Sequence, residues 1–190
     1  MPSVRIPNTR LTQIHVLVIA LLALAHFATQ WLHLVRGNDT VYGLVEFFDL
    51  ANEGNLPTFF STWQLLLCAA VMGVIAIART QQRDPFRWHW AMLSLLTLYL
   101  AVDEAAQIHE LLIRPMQELM PRVATGLFYW AWVIPGLAGV VIAALAYLRF
   151  TFVALPRDIR WQLIIAASLF VIGAIGVEMF EAAFFQKHGQ

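Results

Sequence analysis

Five long apolar runs, each bounded by polar or turn-forming residues, dominate the pattern of this chain. They cover about residues 11–35, 57–79, 88–113, 126–149 and 161–184. Each is long enough, at about 20 residues or more, for an α-helix to cross a bilayer. None shows the period of two expected of a membrane barrel strand. The breaks are punctuated as helix ends should be. Pro57 falls at a first-turn position, where proline is tolerated. Asp84-Pro85, Pro115, Pro121 and Pro156 fall between runs, and Pro135, inside the fourth, predicts a kink. The pattern predicts an all-α integral membrane bundle of about five transmembrane helices, forming a single domain over residues 1–190.

The segment between the first two runs, NDTVYGLVEFFDLANEGNLPT, is amphipathic. Asp39 or Thr40 is placed to cap a short helix over about residues 40–53. On that helix Glu46, Asp49 and Glu53 share one face and Val45 and Phe48 the other, the character of a helix lying in the interface. The first run also has features of a cleaved leader: Arg5 and Arg10 precede it, and Ala23-Leu24-Ala25 resembles a cleavage site. The apolar run continues through HFATQWLHLV, longer than a leader core needs, which favours a span.

Composition strengthens the membrane reading. Of 190 residues, 60% are hydrophobic and 13% charged, with a mean hydropathy of +0.68; soluble domains carry about 25% charged residues. Net charge is zero. With no basic cluster and no zinc-finger spacing, nucleic acid is excluded as a partner, and the bilayer is the expected one. The single cysteine, Cys68, has no internal disulfide partner and reads as a small apolar residue.

Charge then orients the chain. With the N-terminus inside, Arg5, Arg10, Arg79, Arg83, Arg87, Arg149, Arg157 and Arg160 fall at the inner end, and Arg36, Arg114, Arg122 and Lys187 at the outer end. The positive-inside rule therefore puts the N-terminus in the cytoplasm and the C-terminus outside, in the periplasm if the membrane is a bacterial inner membrane. Only Asp84 and Asp158 join the inner end, while the other ten acids lie outside or in the outer half of a span. The positive-inside rule does not require that gathering of acids.

Several of those acids lie within the apolar runs. VDEAAQIHE places Asp103, Glu104, His109 and Glu110 within eight positions, and GAIGVEMFEA places Glu178 and Glu181 three apart. Each charge inside a span costs about 2.5–3.5 kcal/mol on insertion scales, and no lysine or arginine is expected at their depth. On the helix of the third run, Tyr99, Asp103, Gln107 and Glu110 share a face, and Glu104 and His109 point elsewhere. His15, His26 and His33 stack on one face of the first run, with His15 near the inner surface and His33 near the outer end. Gly136 and Gly139 are placed to pack against Gly173 and Gly176. His89, in RWHW, reads as interfacial, beside Trp88 and Trp90.

Carboxylates with imidazole suit a divalent transition metal such as zinc, iron or manganese, and helical bundles build metal sites from facing helices. The expected metal ligands are His33, Asp103, His109, Glu110, Glu178 and Glu181, with Glu104 or Glu53 as a general base. The Glu-x-x-His spacing of di-iron bundles is absent, since Glu104 and His109 are five apart.

EGNLPTFFS, DEAAQIHE and GAIGVEMFEA, taken together, resemble a family of uncharacterised bacterial multi-pass membrane proteins across nearly the whole chain. That resemblance implies architecture and no reaction. Membrane hydrolases resembling alkaline ceramidases are set aside, because the histidine pair along a late helix is missing and the spans are too few. The leading function is a metal-dependent membrane enzyme acting on a lipid-like substrate. The alternatives are an accessory subunit with a membrane-protein partner, a cation or proton route, and a haem protein using His26 or His33 with His109.

Overall fold

The computed structural model describes residues 8–37 and 40–188; Arg5 and the proposed cap Asp39 lie outside the described residues. Every regular element described is helical, and no strand occurs among the described residues. Four helices are long and apolar enough to cross a membrane: Thr9–Val35, Leu56–Gln81, Val133–Ala154 and Arg157–His188. A fifth crossing would be a pair of helices, Arg87–Ala106 and His109–Leu119, bent by 80°. Large apolar side chains such as Leu24, Phe27, Val74, Ile142 and Phe180 stay more than 60% exposed. Water would not tolerate so much apolar surface; a bilayer covers it.

The chain divides into two compact units, Met1–Leu65 and Leu66–Gln190. The first contains α1 (Asn8–Arg36), the short α2 (Leu44–Phe47) and the start of α3 (Leu56–Gln81). The amphipathic helix expected over 40–53 shrinks to the four residues of α2. Val41, Tyr42 and Gly43 all take positive φ, which stops a helix from starting earlier, and Phe48 ends it. Glu46, Asp49 and Glu53 therefore share no helix face: Glu46 is exposed and Asp49 buried.

Asparagine builds the entry to α3. Asn55 Oδ1 accepts from the backbone N–H and hydroxyl of Thr58, both at 3.1 Å, so Asn55 is the N-cap of α3. Its amide donates to the carbonyls of Asp49 and Asn52 at 2.5 and 2.8 Å. Pro57 takes the second helical position, where its missing N–H is not needed. The GNLPT turn is thus one hydrogen-bonded unit. Farther along, His15 bridges the Leu11 carbonyl (2.7 Å) and the Gln64 amide (2.9 Å). Gln64 lies about 12 Å along α3 from Leu56 at 1.5 Å per residue. His15 is therefore level with the interior of α3's first half.

The second unit packs α4 (Arg87–Ala106) on the later part of α3. Ser94 Oγ donates to the Ala69 carbonyl at 2.8 Å, and Thr97 sits against Met72. Gly73 makes this approach feasible, since a Cβ there would lie 3.2 Å from Ser94 Oγ. At the start of α4, His89 belongs to an aromatic cluster. Its ring stacks on the fully buried Phe150 at 5.3 Å, and the Tyr147 hydroxyl donates to its carbonyl. α6 (Val133–Arg149) starts later than expected, which places Pro135 in its first turn, so no kink follows. Arg160, on α7 (Arg157–Val171), donates to the carbonyls of Thr151, Phe152 and Leu155 and closes the π-helical end of α6, Phe150–Ala154. A second π-helical segment, Ile172–Val177, joins α7 to α8 (Glu178–His188). Of the four glycines expected to interlock, only Gly136 meets the opposite helix, against Ile175; nothing lies within 4 Å of a Cβ built at Gly139 or Gly173.

Candidate functional site

The site expected around VDEAAQIHE forms by a route the straight-helix reading missed. α4 ends at Ala106, and Gln107 takes the left-handed conformation (φ 54°, ψ 40°) with its N–H on the Asp103 carbonyl at 2.7 Å. A 3₁₀ turn, His109–Leu112, follows, and then α5 (Ile113–Leu119). Pro115 fits the first turn of α5 and could not sit deep inside a continuous helix. The expected face of Tyr99, Asp103, Gln107 and Glu110 therefore does not exist, because the helical period stops between its second and third members.

The break folds His109 back onto Asp103. One carboxylate oxygen, Oδ1, accepts from the His109 backbone N–H at 2.8 Å; the other, Oδ2, lies 3.1 Å from His109 Nδ1. A carboxylate only accepts, so Nδ1 carries a proton and, in the neutral ring, Nε2 carries the lone pair. Trp132, at the N-terminal boundary of α6, packs on the same ring with centroids 4.6 Å apart. A carboxylate oxygen of Glu110 lies within 4.8 Å of a His109 ring nitrogen, a separation that one ion can bridge.

The remaining expected residues are distributed as follows. Glu104 is half-buried near the end of α4. Glu178 is half-buried at the start of α8, directly after the π-helical segment, and Glu181 is exposed one turn on. His33 on α1 and Glu53 in the loop before α3 are half-buried residues of the first unit. The second unit thus brings together Asp103, His109 and Glu110.

Sequence reasoning missed Trp132, and it missed Arg114, which lines an open depression of about 500 Å³ with Ala106, Gln107, Glu110, Leu111 and Ile113. It also missed a second histidine–carboxylate contact, in the first unit. There Leu50 N–H donates to His26 Nδ1 at 3.2 Å, and Asp49 Oδ1 lies 3.5 Å from the same nitrogen.

Residues 14–190 match the model of a family described as a domain of unknown function, DUF8692. The chain belongs to that family. No curated protein and no solved structure matches it. Membership assigns no activity and leaves the chemistry to the side chains.

Proposed function

We propose that this protein holds a divalent transition metal at His109 and Glu110, within the bilayer, and uses it to act on a lipid-like substrate. The observation that carries the reading is the Asp103–His109 contact. Metal-binding histidines characteristically give their second ring N–H to a carboxylate, which fixes the tautomer and ring orientation. Asp103 does this here while its other oxygen anchors the backbone of the same residue. In this reading Asp103 positions His109 and is not itself a ligand. Glu178 and Glu181 are not grouped with His109 and Glu110 among the described residues, so they would join the ion only after a rearrangement of α8, and Glu104 is the proposed general base. Zinc, iron and manganese all suit such a donor set; a bound ion of this kind activates water or polarises an ester oxygen.

The distribution of basic residues supports an N-terminus in the cytoplasm and this site in the outer half of the membrane, and the motif resemblance supports a bacterial inner membrane. The test is elemental mass spectrometry on untagged protein, purified in mild detergent without chelator, beside His109→Ala. Near-stoichiometric zinc, iron or manganese that disappears in the variant supports the reading. Folded wild-type protein without metal sinks it and favours an accessory subunit, to be sought by native pull-down of a membrane-protein partner.

A further inference from the structure

The 80° bend creates a hollow that a straight helix would not have. Its lining divides evenly: Gln107, Glu110 and Arg114 are polar, and Ala106, Leu111 and Ile113 are apolar. Leu111 is 72% exposed, and Glu110 and Arg114 are exposed as well. Among the described residues no ion pair joins Arg114 to a carboxylate, although Glu110 lies four residues before it on the same wall. A guanidinium presents donors in a fork that matches a phosphate. The apolar half of the lining suits an acyl chain, and the Gln107 amide suits an ester or glycerol oxygen.

We infer that this depression binds a phospholipid headgroup, with the phosphate on Arg114 and the start of the acyl chain along Leu111 and Ile113. Glu110 lines the hollow and also has a carboxylate oxygen within 4.8 Å of a His109 ring nitrogen, so a lipid bound there would lie near the proposed metal centre. That the bound lipid is the substrate rests on the metal reading; that the hollow binds it does not.

The experiment is native mass spectrometry of the full chain in detergent with three probes added separately: palmitoyl-oleoyl phosphatidylglycerol, the diacylglycerol with the same chains, and inorganic phosphate. Arg114→Gln should lower phospholipid occupancy about tenfold, the worth of one charge-assisted hydrogen bond. Arg114→Lys should recover part of it. Diacylglycerol should bind weakly and equally to wild type and variant, and inorganic phosphate should not be retained. Arg122→Gln, which removes an exposed arginine outside the hollow, should leave phospholipid binding unchanged. Equal phospholipid binding by wild type and Arg114→Gln overturns the inference, as does an equal loss in Arg122→Gln or diacylglycerol binding as tight as phospholipid. Retention of inorganic phosphate, lost in Arg114→Gln, also overturns it, by assigning the hollow to a free anion. Metal content measured on the same samples separates the two claims. Lipid lost in Arg114→Gln with no metal in the wild type keeps the binding site and removes its role as a substrate site. Metal present with lipid binding unchanged does the reverse.

Discussion

Among the described residues the protein contains two histidine–aspartate contacts, one in each unit, and they are wired in opposite senses. Their burial hardly differs: side-chain exposures are 17% and 12% for His26 and Asp49, and 12% and 16% for His109 and Asp103. Hydrogen bonding separates them. His26 Nδ1 accepts from Leu50 N–H, so in the neutral ring the proton sits on Nε2. Asp49 is satisfied elsewhere, accepting from the Ala51 N–H at 3.0 Å and the Asn52 amide at 2.7 Å. His109 Nδ1 instead gives its proton to Asp103, leaving the lone pair on Nε2. The first histidine fastens a loop to α1; the second is held by the carboxylate it donates to, as the proposed metal reading requires. A histidine near an aspartate is therefore not a functional signal until the direction of each hydrogen bond is known.

The strongest way to break this contrast is to remove both carboxylates in turn. Asp103→Ala should weaken metal retention about 10- to 100-fold, the usual effect of deleting the carboxylate behind a ligand histidine. Asp49→Ala should leave metal retention unchanged. Elemental analysis after graded dialysis reads both. Equal losses would mean that the two pairs do the same job, and the tautomer argument would fall.

The second test addresses the break that brings Asp103 and His109 together. Gln107 is a non-glycine residue in the left-handed region. A β-branched side chain there should cost about 1–2 kcal/mol, so Gln107→Val should unfold at lower temperature in detergent and lose metal. Gln107→Gly, which accepts that conformation, should keep both. If valine is tolerated without loss, α4 and α5 tolerate a straighter path and the bend is not required for the site.

These two regions also differ in how far the sequence reveals them. The apolar runs identify the long helices because length and hydropathy are local properties of the chain. The break at Gln107 carries no glycine or proline of its own; it arises because Asp103 can satisfy the His109 backbone and ring together, six residues on. That is a tertiary-like contact inside one segment, and helical periodicity cannot express it. Pro115 was the available signal, since its first-turn preference places a helix start near Ile113. In the first unit, Gly43 and Gly54 marked turns in the loop (φ 83° and 77°), yet the positive φ of Val41 and Tyr42 had no counterpart in their residue types. The acids of VDEAAQIHE stand out against the apolar run that precedes them in the sequence alone. Their assignment to faces failed with the assumption of one straight helix.

A third test measures the structural unit of the first region directly. Asn55 caps α3 and also ties the loop to itself through two carbonyls. Asn55→Ala should lower stability by about 1 kcal/mol for the cap alone, and by more if the loop bonds add to it. Thermal unfolding in detergent would show this, with metal content unaffected. A loss of metal here would mean that the loop contributes to the site.

The smallest expected effect discriminates most finely. His26→Asn places an amide oxygen near the position of Nδ1 and keeps an acceptor for the Leu50 N–H, whereas His26→Ala leaves that donor without one. Alanine should cost about 1 kcal/mol, and asparagine a fraction of that. If the two substitutions are equally damaging, His26 acts through its ring edge against Phe27 at 5.5 Å or through Nε2, and not as an acceptor. The same pair at His109 should behave differently: asparagine cannot both donate to Asp103 and offer a ring nitrogen on its far side, so His109→Asn and His109→Ala should lose metal alike. Rescue by asparagine at position 26 with no rescue at position 109 is the result that the opposite wiring requires.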